Sequence, residues 1–260
     1  MARVFIGVGH GGTDSGAVGY LREEDVNLTM AMACKEYLES NGVVVGISRT
    51  KDENDTVSDE IRECNSFKAD CAVDVHNNSG KGDGFEAFCS INKNGKGRRL
   101  AELIEVEVKA IGQNSRGVKT KKNSSGTDYF GFIRDTNCPA TICEGVFVDN
   151  ATDVKIADTV AEQRVFGYAY AKGILKYLGI SSSNKPANPS SSEAFLVRVK
   201  VSDLSIRTGA GVEYRRVGSI KDKGTYTIVQ TAKAKDGGTW GKLKSGAGWI
   251  NISSKFVTRV

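Results

Sequence analysis

Apolar and polar positions follow two periods along the first two thirds of the chain. Residues 4–8 (VFIGV) form a continuous apolar run of strand length, and 43–48, 71–75 and 140–143 repeat it. Between these runs the apolar positions take helical spacing. Val26, Leu28, Met32 and Leu38 share a helix that Asn41 and Gly42 should end, glycine supplying the left-handed residue after the last turn. Further helices are expected near 59–67, 101–111 and 161–178. Strands alternating with helices of these lengths predict an α/β layer, a mostly parallel twisted sheet flanked by helices. Beyond residue 192 the pattern shortens to brief strands at 195–201, 226–231, 240–243 and 249–252, separated by glycine and charge. A small all-β barrel of about 60 residues is the expectation there.

Composition divides the chain at the same place. The string SSSNKPANPSSS (181–192) holds two of the three prolines and no large apolar residue, which is linker composition. The expected organisation is therefore an α/β domain over 1–180, a Ser/Pro/Asn linker over 181–194 and a β domain over 195–260. Charge is divided as well: 14 of the 36 Lys and Arg but only 5 of the 31 Asp and Glu lie from Ser181 onward. The C-terminal part thus carries roughly +9 and the rest roughly −4, so two different partners are implied. No apolar run approaches the roughly 20 residues of a membrane helix, so no stable membrane association is expected. The start, MARVFIGVGHGG, is too short and glycine-rich for a signal peptide. Six cysteines without a C-x-x-C pair, all before Ser181, read as reduced and mostly buried thiols made in a cytoplasm.

Candidate chemistry centres on the only two histidines. His10 and His76 each follow an apolar strand run, FIGVG and CAVDV. Ligands of an open parallel sheet bind outside the carboxyl ends of its strands, so the two imidazoles can converge in one cleft. Two histidines and one carboxylate leave an open position on a tetrahedral zinc ion, as catalytic sites do. The carboxylate should come from LREEDVNL, where Glu23 and Glu24 start a helix. Neighbours on a helix point about 100° apart, so only one of them can face the cleft. Two other signals point elsewhere. Residues 7–12 formally read G-x-G-x-x-G after a strand, and Arg49 at the end of the second strand would suit a 2′-phosphate, an NADP-type reading. TDSG around Ser15 leaves no free histidine to activate the serine if both bind metal, and reads as loop.

The strings GHGGTDSGAVG, LREEDVNL, ADCAVDVHNNS, GFEAF and CPATICEGVFVDN, in this order to about Leu178, resemble the zinc-dependent N-acetylmuramoyl-L-alanine amidases of bacterial autolysins and phage endolysins. The resemblance implies zinc ligation by His10, Glu23 and His76, with Glu24 at a position where the family often has lysine or serine. Its P-A-x-x-x-E segment falls on Pro139, Ala140 and Glu144, which makes Glu144 the implied catalytic acid and base. Asn78 and Glu86 match supporting positions. Two departures stand out: Asp74 replaces a serine before His76, where it projects to the same side of the strand and can orient the ligand, and Gly145 replaces an apolar residue. The implied reaction is hydrolysis of the amide between N-acetylmuramic acid and L-alanine of the stem peptide.

The segment LSIRTGAGVEYRRVGSIKDKG with the later WGKL and GWI resembles bacterial SH3-type cell-wall-binding domains. Tyr214 is the better surface candidate for wall contact, whereas Trp240 and Trp249 suit barrel core as well as ligand contact. No stacking or base-reading motif accompanies the basic excess, so the expected partners are peptidoglycan and anionic wall polymers rather than nucleic acid, with no obligate protein partner. The combined expectation is a phage or prophage endolysin, made without a signal peptide and acting on the wall after release. The alternatives are a wall-binding protein with a degenerate catalytic domain and an NADP-dependent oxidoreductase.

Overall fold

The apolar runs become four adjacent strands of a six-stranded sheet, three of them interior and the run at 43–48 an edge. Its strands are β1 (Arg3–Val8), β2 (Val44–Ile47), β3 (Cys71–Asn78), β4 (Phe85–Cys89), β5 (Ser115–Lys119) and β6 (Ala140–Phe147), in the order β2-β1-β3-β6-β4-β5. Every neighbouring pair is parallel except β4 with β6. The helices are α1 (Glu23–Ser40), α2 (Val57–Phe67), α3 (Lys96–Ala110), α4 (Gly131–Asp135), α5 (Ala151–Val154) and α6 (Val160–Leu178). Local chemistry starts three of them: the Thr56 side chain accepts from the Asp59 N–H, the Asn150 side chain accepts from the Thr152 and Asp153 N–H groups, and Thr159 with Glu162 closes a reciprocal capping box. This computed structural model describes residues 1–92, 95–181, 195–234 and 237–260. Most of the expected linker, 182–194, lies outside the described residues.

Period-two alternation assigns each strand residue to a face. Val4, Ile6, Val8, Val73 and Val75 join the main core with Met30 and Leu38 of α1, Ile104 of α3 and Phe166 and Ile174 of α6. Phe5, Ala72 and Ala140 face the other way, against Cys64 of α2, Phe132 of α4 and Cys138. Further along β3 and β6 that second face carries His76 and Glu144 in place of apolar residues. All six cysteines are buried, and none of them forms a disulfide.

Two boundaries differ from the sequence expectation in a way that matters. β3 runs to Asn78 and β6 to Phe147, so His76 and Glu144 lie within strands rather than beyond their ends. The ladder needs only main-chain N–H and C=O groups, so it continues past the polar side chains at which the apolar runs stop. The strands β4 (FEAFC) and β5 (SRGVK) have no apolar run long enough to announce them.

Two compact units divide the chain at 184/185. The second holds β7 (Phe195–Val199), β8 (Leu204–Arg207), β9 (Arg216–Ile220), β10 (Thr225–Lys233), β11 (Thr239–Leu243), β12 (Trp249–Asn251) and β13 (Val257–Arg259). They form one sheet, in the order β13-β7-β10-β11-β12-β8-β9, in which every pair is antiparallel. Val197, Val199, Leu204, Ile220, Ile228, Leu243, Ile250 and Val257 make its core. Among the described residues no helix is long and apolar enough to cross a membrane.

Candidate active site

The turn after β1 is built to present one imidazole. His10 has φ 65°, a left-handed conformation that a non-glycine residue adopts only when its surroundings hold it there. The holding groups are visible. Arg49 is 2 % exposed and donates to the carbonyls of Val8, Gly9 and Glu24 at 3.0, 3.1 and 3.0 Å, and Asn27 Nδ2 donates to the Gly9 carbonyl at 2.9 Å. Gly9 lies level with His76 on β3, and a Cβ there would sit 2.1 Å from the His76 ring. Glycine is therefore what lets the second imidazole lie over the turn. The Gly7–Gly12 string does not open a helix, since α1 begins only at Glu23, so the dinucleotide reading loses its structural context. Ser15 Oγ donates to the Gly16 carbonyl at 3.1 Å, within the loop.

Glu23, the first residue of α1, closes the cluster. Its Oε1 lies 3.2 Å from His10 Nε2 and 3.1 Å from His76 Nδ1, and its Oε2 accepts from the Ala17 N–H at 2.9 Å. One donor atom from each of the three residues lies within 4.8 Å of the other two. The remaining imidazole nitrogens face outer carboxylates: His10 Nδ1 lies 2.9 Å from Asp14 Oδ2, and His76 Nε2 lies 3.4 Å from Asp74 Oδ2. The Glu23 hydrogen bond raises the His10 pKa. Burial would lower that of His76, but Asp74 and Glu23 outweigh it and raise it. Burial likewise opposes ionisation of Glu23, and the two imidazoles nevertheless hold it well below the usual carboxylate range. Glu24 turns away, pairs with Arg22, and keeps Oε2 buried without a partner.

Glu144 stands beside this cluster in the same row of the sheet. It pairs across the ladder with His76 on β3 and with Glu86 on β4, so the three side chains share one face. Its Oε2 is buried without a hydrogen-bond partner, and burial pushes its carboxyl up to about 7, with Glu23 adding to the rise and His76 opposing it. Glu86 accepts from Arg116, from Lys119 at 2.6 Å and from Asn78 Nδ2 at 3.4 Å. A Cβ at Gly145 would meet Tyr170 Oη at 2.6 Å and Asn77 Oδ1 at 2.9 Å, so these surroundings leave no room for a side chain there. Sequence reasoning assigns Arg49 only an NADP-type role and gives Asp14, Arg116 and Lys119 none. Of these, only Asp14 carried a local signal, a carboxylate four residues after His10.

In the second unit, Trp240 is 2 % exposed and belongs to the interior, which removes it as a surface contact. Trp249 is partly buried. Tyr214 is 46 % exposed and is the most accessible of the three.

Two imidazoles, a carboxylate and a neighbouring protonatable carboxyl are the parts of a metal-assisted hydrolase. The profile of the family described as N-acetylmuramoyl-L-alanine amidase matches residues 4–176, the stretch that contains all of them. The chain belongs to the N-acetylmuramoyl-L-alanine amidase family. Along its whole length this amidase-family chain is similar to an endolysin of Bacillus phage SPP1, 30 % identical over 98 % of this chain and 97 % of the relative. It is 28 % identical to the N-acetylmuramoyl-L-alanine amidase CwlM of Bacillus licheniformis, over 81 % of this chain and 82 % of the relative. Among solved structures, the catalytic domain of CwlV, an N-acetylmuramoyl-L-alanine amidase from Bacillus (Paenibacillus) polymyxa var. colistinus, superposes with a TM-score of 0.63. That match has 26 % identity and covers 70 % of this chain and 100 % of the other.

Proposed function

We propose that this protein is a zinc-dependent peptidoglycan hydrolase that cleaves the amide between the lactyl group of N-acetylmuramic acid and L-alanine of the stem peptide. The observation that carries the reading is the convergence of His10, Glu23 and His76 beside a protonatable Glu144. The donor set fits zinc: Glu23 Oε1 lies 3.1 and 3.2 Å from the two ring nitrogens, close to the about 3.3 Å expected between ligands of a tetrahedral ion. Asp14 and Asp74 occupy the other ring nitrogens and so fix which nitrogen each imidazole offers. When bound, zinc supplies Lewis acidity to the scissile carbonyl and to water.

Proton transfer falls to Glu144. As a carboxylate it accepts the proton of the attacking water while the new C–O bond forms. As a carboxylic acid it delivers that proton to the departing nitrogen as the C–N bond breaks, leaving a lactyl carboxylate and the free amino group of L-alanine. A carboxyl that burial makes easier to protonate than an ordinary glutamate serves both halves. Arg49 keeps the His10 turn in its left-handed form, and Asn78 and Glu86 line the row beside Glu144.

The second unit is read as an SH3-like wall-binding domain joined to the catalytic domain through 181–194, with Tyr214 and Trp249 as contacts and anionic wall polymer as the partner of its basic excess. Similarity to the SPP1 endolysin over 98 % of the chain supports an endolysin-like pairing of the two units. The test is metal analysis of the purified protein together with release of free L-alanine amino groups from purified walls. One zinc per chain is expected, and Glu144→Gln should keep it while losing activity by at least about a hundredfold. A zinc-free protein that binds walls without cutting them, or an active Glu144→Gln protein, would overturn the reading.

A further inference from the structure

Glu86, Arg116 and Lys119 form a charged cluster that the hydrolysis itself leaves unused. Glu86 is 5 % exposed, and its Oε1 accepts from both Arg116 Nε and Lys119 Nζ. Two cations thus face one carboxylate, a surplus of one positive charge. That surplus is accessible, because the Arg116 and Lys119 side chains are 44 % and 36 % exposed. Arg116 meets Glu86 through Nε, so its two terminal nitrogens, the pair that grips a carboxylate side by side, are not spent on that bridge. The guanidinium lies 5.4 Å from the Phe147 ring centre, at the end of the strand that carries Glu144.

Backbone geometry explains why both cations reach one carboxylate. Residues three apart on a regular strand face opposite sides. Here the β4–β5 register shifts between Phe85 and Ala87, with Gly117 at φ 90°, and the extra residue turns Arg116 to the side of Lys119. The cluster continues the row His76, Glu144, Glu86 onto the next strand. With strands about 4.8 Å apart, the β5 strand lies about 10 Å from the Glu144 strand, on the side away from His76. An extended peptide advances about 3.4 Å per residue, so a substrate running across the strands from an amide held at Glu144 reaches the cluster after about three residues.

The geometry points to Arg116 and Lys119 as a subsite for a carboxylate of the substrate peptide, on the leaving-group side of the scissile amide. This rests on the amidase reading above and adds a charge requirement to it. The test uses pairs of soluble muramoyl peptides that differ only in whether a residue within about three places of the scissile amide carries a free carboxylate or a carboxamide. Binding is measured by calorimetry on the zinc-loaded Glu144→Gln protein, and kcat/KM on the wild type. The carboxylate peptide should be favoured by about fivefold or more in both, a modest factor because the cations are partly exposed and screened. Arg116→Gln or Lys119→Gln should bring the ratio to about one.

A wild-type ratio near one overturns the subsite, as does failure of the Glu144→Gln protein to bind either peptide. Equal loss on both peptides in Arg116→Gln also overturns it, by reducing Arg116 to a support for Glu86. Preferential binding of the carboxylate peptide without cleavage of either would leave the subsite standing and sink the amidase reading instead.

Discussion

Replacing the buried Glu144 carboxyl should stabilise the protein while disabling it. Burial moves this group from 4.5 to about 7, and at about 1.4 kcal/mol per tenfold change the difference amounts to about 3 kcal/mol. The sign follows from where each state releases the proton. The unfolded chain loses it near the ordinary glutamate value and the native protein only near 7, so over that window the native state binds more protons and stability falls as pH rises. Glu144→Gln cannot ionise and keeps an acceptor oxygen in place. Relative to wild type, the variant should gain nothing at pH 4 and about 3 kcal/mol at pH 8, equivalent to about 6–12 °C in Tm for a unit of this size. Thermal unfolding of the chelator-treated protein between pH 4 and 8, followed by circular dichroism, measures this directly. Added zinc should shrink the difference, because a nearby positive charge favours the carboxylate. Parallel pH profiles for the two proteins, or a less stable variant at pH 8, would refute the assignment of that proton to a buried Glu144.

Two further outcomes are expected. His10→Ala, Glu23→Ala and His76→Ala should each lower bound zinc as measured by metal analysis, while Glu24→Ala, whose carboxylate pairs with Arg22, should leave it nearly unchanged. The reverse result for the two glutamates would reassign the ligand. A fragment beginning near residue 192 should bind purified walls without cutting them, and its binding should weaken between about 0.05 and 0.5 M salt as the Debye length falls from about 14 to about 4 Å. Binding that is equal at all salt concentrations would mean that a short-range pocket, rather than the basic excess, does the recognition.

The sequence by itself determined the sheet centre, the main helices and the two histidines as candidate ligands, because each depends on local pattern. Burial on both faces makes β1 and the start of β3 read as continuous apolar runs, and helical spacing marks α1 and α6. The angle between helix neighbours limits the cleft carboxylate to one of Glu23 and Glu24, the family resemblance implies Glu23, and the fold places Glu23 against both imidazoles. Only the tertiary structure decided what depends on residues distant in the chain. β4 and β5 lack a period of their own and exist because β6 offers β4 an edge, and β4 in turn offers one to β5. The buried clamp of Arg49 on the His10 turn spans 40 residues between Arg49 Nη2 and the Gly9 carbonyl. Asp14, by contrast, was close in sequence but gained meaning only when its carboxylate met the outer nitrogen of His10. The Arg116 and Lys119 cluster shows the reason most clearly. Three residues apart, the two would point to opposite faces of a regular strand, and it is a register shift against β4, set by pairing across the sheet, that turns both onto Glu86.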